Sequence, residues 1–248
     1  DQTIAAHERL SETQVEKTLG IDQFRLMSRK GYDIVQSHLR RVWGNEAFNR
    51  TSYEAYAHGP TIYRAIVTGK PYPVRAAISL ASNPLLSLAN TRRVYEALKA
   101  LQLYVVAEYY LTPSAALADY IFPICSTIET TELWLTGAFC VASPRGIEPL
   151  HERRNPYDFW RGLGVRLGQE EHWPWETVDE VWDYRLAPVG LTFNKLLEQN
   201  GLFGRGGEKR YEQFGFGTPS GKVELRSSIF EELGFEPLPV YKEMPHSP

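Results

Sequence analysis

Two cysteines in 248 residues leave little room for covalent staples or cysteine-bound clusters. Cys125 and Cys140 allow one disulfide, but their apolar neighbours favour buried free thiols. A four-iron cluster takes four thiolates, so these two cannot hold one by themselves. An excess of charge is missing too. A net charge of -3 gives no electrostatic case for nucleic acid or for an anionic membrane. No apolar run is long enough to span a bilayer. The first 17 residues lack the charged-then-apolar pattern of an export signal, and no Met starts the chain. The chain is therefore expected to be a processed product or an excised piece, and its compartment stays open. Internal repeats and low-complexity tracts are also absent.

What is present is a globular composition, 43% hydrophobic and 12% aromatic, enough for a sizeable core. The densest information lies between Val74 and Glu132. Val74–Ala81 reads as a strand apolar on both faces, as a central parallel strand should be. Thr91–Leu101 reads as a helix with Val94, Leu98 and Leu101 on one face. Leu103–Ala107 is a second strand and Tyr120–Pro123 a short third, with a helix from Pro113 to Ala118 between them. Alternation of this kind predicts an α/β fold, a three-layer αβα sandwich with a mainly parallel, Rossmann-like sheet.

Elsewhere, Ser11 and Gln14 form a capping-box pattern ahead of Gly20. Helices are expected at 31–43, at 52–68 with a restart at Pro60, at 154–167, at 177–186 and at 192–200. The stretch 201–207 has four glycines and reads as a loop or turn, the one mark of a boundary in what is otherwise a single compact unit. Thr218-Pro219-Ser220-Gly221 is a β-turn, Val223–Arg226 a strand, and Ser227 or Ser228 the cap of a last short helix ending near Gly234.

Several chemistries fail on spacing. Gly204-Arg205-Gly206-Gly207 is no dinucleotide fingerprint, and the lysine of Gly221-Lys222 lacks the glycine and hydroxyl that a phosphate loop needs. The six histidines show no zinc spacing. Ser126 and Ser143 lack a hydrolase elbow. Glu129 and Glu132 allow an acid–base pair, but with no partner group nearby a structural role is the better reading.

The candidate site is the C-terminal end of the strands. Ser82-Asn83-Pro84 follows the first strand and favours a tight turn whose amides can meet a phosphate or a base. Glu108 ends the second strand, where an acid can accept two hydrogen bonds from a ribose diol or a guanine edge. Thr112 can offer its hydroxyl, with a helix start behind it, to a phosphate oxygen. The plain alternatives are an exposed strand end for Glu108 and a helix cap for Thr112.

Three stretches carry a family resemblance. They are Gly69-Lys-Pro-Tyr-Pro-Val-Arg-Ala-Ala-Ile-Ser-Leu-Ala-Ser-Asn-Pro-Leu, then the run from Leu103 through Thr112 and Asp119 to Pro123 with Glu129 after it, then Phe216-Gly-Thr-Pro-Ser-Gly-Lys-Val-Glu-Leu-Arg-Ser with Gly234–Tyr241. In this order and spacing they resemble the central part of the large subunit of molybdopterin oxidoreductases, the dimethyl sulfoxide reductase superfamily. The resemblance implies a parent enzyme holding molybdenum or tungsten through two molybdopterin guanine dinucleotides, one of them seated on this region. It implies that Ser82, Asn83 and Pro84 form the turn approaching the dinucleotide. It implies that Glu108 stands for an acid, usually Asp, that contacts the guanosine, that Thr112 is the nearby threonine, and that Asp119 is structural. The metal ligand, the iron–sulfur cysteines and a C-terminal barrel would lie outside this chain. Its partners would be the rest of the subunit and an iron–sulfur electron-transfer subunit. A non-catalytic assembly module and an unrelated α/β nucleotide binder remain as alternatives.

Overall fold

The computed structural model describes residues 13, 17–27, 29–43, 57–136, 139–204, 209–241 and 243. The Ser11 capping box, the breaks at Gly44 and Asn45, and the end of the glycine-rich stretch (205–207) lie outside them. In chain order the elements are α1 (Arg29–Trp43), α2 (Gly59–Thr68), β1 (Ala76–Leu80), α3 (Pro84–Ser87), α4 (Thr91–Ala100), β2 (Leu103–Glu108), β3 (Tyr120–Pro123), β4 (Glu132–Thr136), β5 (Phe139–Ser143), α5 (Pro156–Arg166), α6 (Val178–Leu186), α7 (Phe193–Glu198), β6 (Leu202–Gly204), α8 (Arg210–Phe214) and α9 (Ser228–Glu232). They fall into two compact units, 75–206 and 1–74 with 207–248. The second division lies in the glycine-rich stretch singled out above.

The unit 75–206 holds two sheets. In the first, β1 and β2 pair in parallel with Leu80 opposite Ala107, and β2 and β3 pair in parallel with Glu108 opposite Pro123. The order is β1-β2-β3, so β2 is central. Its Tyr104, Val105, Val106 and Ala107 are buried, which is why this strand reads as an unbroken apolar run. The expectation of a central first strand is corrected here: β1 lies at an edge of the sheet among the described residues, and Ile78 is 39% exposed. In α4, Val94, Ala97 and Leu98 are buried at helical spacing, and Asn90 caps its first turn by accepting from Arg93 N–H. Asp119 is structural, as expected. Its carboxylate accepts the Tyr104 N–H at 2.7 Å, and its own N–H donates to the Tyr104 carbonyl.

The second sheet, β4-β5-β6, is antiparallel and was not anticipated. Leu133, Cys140 and Ala142 face inward and form a core with Leu186, Phe193 and Leu196 of α6 and α7. Trp134 and Val141, at alternate positions, are exposed. That period of two was legible at 132–143. The glycine-rich stretch contributes β6 instead of remaining loop throughout. Gly201 makes this possible: its φ is +68°, and a Cβ there would lie 2.5 Å from the Ala142 carbonyl oxygen. Both cysteines are free and buried, as expected.

In the other unit, α1 buries Gly31 and Val42. A Cβ at Gly31 would meet the Arg25 carbonyl oxygen at 2.5 Å, so this position needs glycine. Pro60 stands in the first turn of α2, where a missing N–H costs nothing. The Thr218–Gly221 turn forms, with Gly221 N–H on the Thr218 carbonyl at 3.1 Å. The expected strand at Val223–Arg226 does not form. Glu224 instead takes the N–H groups of Ser220 and Ser228 and the Ser228 hydroxyl, tying the turn to the start of α9. These bonds, the Ser228 hydroxyl first, hold its carboxyl at about 2.

Candidate functional site

The parallel register puts three strand ends side by side. Beyond Leu80 the chain still pairs once, Ala81 N–H to the Ala107 carbonyl at 2.9 Å, and then turns away. The turn goes through Ala81 at φ 46°, a left-handed conformation that costs a non-glycine residue roughly 1–2 kcal/mol. Ser82 and Glu108 thereby share one end of the sheet, and the Asn83 turn follows directly on that end.

Asn83 is half-buried and Pro84 buried. The Asn83 carbonyl accepts from Leu86 N–H and Ser87 N–H, which starts the single turn of α3. Its side-chain oxygen accepts the Ser114 hydroxyl at 2.6 Å. Ser114 Oγ in turn accepts the Leu85 N–H at 3.1 Å, and Ser114 is fully buried. Ser114 is the residue that sequence reasoning missed. Its only signal was a small hydroxyl two places after Thr112.

Thr112 does act as a cap: Ala115 N–H donates to its Oγ1 at 3.1 Å. The segment it caps is one 3-10 turn, Ala115–Leu117, and not the helix expected from Pro113 to Ala118. No extended helix dipole stands behind the threonine, whose hydroxyl proton is still able to donate. Glu108 accepts the Tyr109 N–H on Oε1 at 2.8 Å. Its second oxygen takes no donor among the described residues. The backbone N–H groups of Ser82 and Asn83 and the Asn83 Nδ2 amide likewise make no hydrogen bond among the described residues.

This edge therefore combines neutral donors at the first strand end with an acid at the second. Such a pairing suits a ligand that is acceptor-rich in one part, as a diphosphate is, and donor-rich in another, as a ribose diol or a guanine edge is. Burial, then Glu132 and Glu108, pushes the Tyr109 phenol up. A hollow of about 390 Å³ adjoins the Asn83–Ser114 pair and is lined by Leu85, Leu86, Thr91, Arg92, Tyr95 and Pro113. The five candidate residues are not among its walls.

Glu129 is excluded as a base. It is 1% exposed, and its two oxygens take Ser126 N–H, Ser126 Oγ–H, Leu150 N–H and Arg153. Ser126 N–H above all, then Leu150 N–H and the Ser126 hydroxyl, hold its carboxyl at about 2 against the upward push of burial. Arg153 is thus ion-paired to a buried carboxylate, 2.9 Å from Glu129. Burial raises both cysteine thiols, so neither is a ready thiolate ligand. Among the described residues no group of three or more His, Cys, Asp or Glu could hold a metal ion, and no helix is long and apolar enough to cross a membrane.

A family model described as molybdopterin oxidoreductase matches residues 31–165, more than half of the chain. Acetylene hydratase of Syntrophotalea acetylenica is 36% identical over 245 residues, covering 97% of this chain and 33% of that protein. Dimethyl sulfoxide reductase DmsA of Escherichia coli is 25% identical over 230 residues, covering 76% of this chain and 28% of that protein. The solved structure of acetylene hydratase from Pelobacter acetylenicus superposes with a TM-score of 0.81 at 33% identity, over 97% of this chain and 33% of that one. The chain spans about a third of the length of the relatives it matches.

Proposed function

The chain belongs to the molybdopterin oxidoreductase family, within the dimethyl sulfoxide reductase superfamily, and from that membership we propose that residues 1–248 are the dinucleotide-positioning region of a longer catalytic subunit. The carrying observation is the shared end of β1 and β2, with its unpartnered N–H groups beside an acid. Those groups fit molybdopterin guanine dinucleotide. Ser82 and Asn83 donate to the diphosphate, Pro84 stiffens the turn, Glu108 accepts from the guanosine, and Thr112 adds a hydroxyl donor. In the parent, two such dinucleotides hold molybdenum or tungsten, and the metal supplies the redox chemistry. Helices on both faces of a completed parallel sheet would make the three-layer sandwich. The iron–sulfur part, the metal ligand and the C-terminal barrel belong to the rest of the subunit, and an iron–sulfur electron-transfer subunit is its partner. Calorimetric titration with GDP and with ADP tests the reading. Preference for GDP is expected, and equal affinity for ADP overturns it.

A second reading concerns the parent's reaction. The match to acetylene hydratase covers more of the chain, and at higher identity, than the match to the reductase DmsA. This favours a parent that adds water to a small unsaturated substrate without net electron exchange. Full-length protein consuming acetylene with no added electron acceptor supports that reading. Strict dependence on an electron donor and a substrate that gives up an oxygen atom overturns it.

A further inference from the structure

We infer that Ser114 is a positioning residue that locks the Asn83 amide with its nitrogen turned to the ligand, so that Asn83 acts only as a hydrogen-bond donor. The inference rests on the reading of the strand-end site given above. The Ser114 hydroxyl has one proton. Leu85 N–H already occupies an acceptor position on Oγ at 3.1 Å, and the proton goes to Asn83 Oδ1 at 2.6 Å. The serine is fully buried, so its hydroxyl meets both partners inside the protein. An asparagine can present an oxygen or a nitrogen, and nothing in its own backbone chooses. Here the choice is made from 31 residues away: the oxygen is consumed inside the protein, and both Nδ2 protons remain without a partner among the described residues. The group that Asn83 meets must therefore be an acceptor, such as a phosphate oxygen or a purine carbonyl. A ribose hydroxyl used as donor is excluded at this position and left to Glu108.

A double-mutant cycle on the full-length protein, purified without cofactor and titrated with GDP, tests this. Asn83→Ala is expected to weaken GDP roughly ten-fold. Asn83→Asp is expected to weaken it further, because Ser114 would hold one carboxylate oxygen and turn the other, an acceptor, toward the ligand's acceptors. Ser114→Ala should weaken GDP by about three- to ten-fold in the natural background and less than about two-fold beside Asn83→Ala. Ser114→Thr, which keeps the hydroxyl, should restore binding. Melting temperatures are read in parallel. The loss of an acceptor for Leu85 N–H lowers them in both backgrounds, whereas the binding effect requires Asn83. Equal weakening by Ser114→Ala in both backgrounds overturns the positioning role. Asn83→Asp binding as well as the natural protein overturns the donor assignment, and that arm leaves Ser114 untouched. Unchanged affinity in Asn83→Ala, or no GDP binding at all, removes the site reading itself.

Discussion

Leu80 and Ala107 are register partners in a parallel strand pair, and this pairing brings Ser82 and Glu108 to the same end of the sheet. A slip of one residue would turn the side chains of β1 to the opposite face and separate the turn from the acid. The candidate site therefore depends on the buried run from Tyr104 to Ala107 that holds the register.

Glu108→Ala is expected to weaken GDP by roughly ten-fold or more, the scale of a lost hydrogen bond to a charged group. Glu108→Asp should retain most of the affinity, since the acidic character stays and only one methylene goes. Calorimetry on both variants decides. Full affinity in Glu108→Ala shows that the carboxylate is an exposed strand end and nothing more.

Glu129 gives the unit 75–206 a defined acid limit. Its folded carboxyl sits at about 2, below the ordinary 4.5. A depressed acid stabilises the fold fully above its unfolded value, and that stabilisation is lost as pH falls from about 4.5 toward 2. Thermal melts of the natural protein and of Glu129→Gln should therefore differ most at neutral pH and converge near pH 2. A constant gap across that range contradicts the assignment.

The second sheet is buried on one face, and substitutions should report it. Leu196→Ala, at a site with no exposure, is expected to cost about 2–5 kcal/mol by urea denaturation. Val141→Thr, on the outer face of β5, should stay within about 0.5 kcal/mol. Comparable losses at both positions would mean that the outer face is covered as well.

Thr177 caps α6 reciprocally with Glu180: Glu180 N–H donates to the threonine hydroxyl, and the glutamate accepts the Thr177 N–H. Thr177→Ala should cost about 1 kcal/mol in a denaturant titration, and Thr177→Ser should recover most of it. A loss of similar size in Thr177→Ser would shift the explanation from the cap to packing of the threonine methyl.

Local signals are what the sequence by itself determined. The β1–α4–β2 alternation, the Ser227 cap, the Thr218 turn and the strand-end positions of Ser82 and Glu108 each follow from spacing within a few residues. The three quoted stretches also carried the family. Pairing partners and burial were decided only by the tertiary structure. Trp134 and Val141 alternate with Leu133 and Cys140, but that period of two does not say which strand lies beside which, and the antiparallel sheet needed Gly201 to let β6 approach Ala142. Val223–Arg226 has strand-like residues and no strand, because Glu224 is engaged by Ser220 and Ser228. Ser114 is one serine among many until burial leaves its hydroxyl between Leu85 and Asn83. A hydrogen bond across 31 residues has no periodicity to read. It exists only once folding has buried Ser114 beside the Asn83 turn.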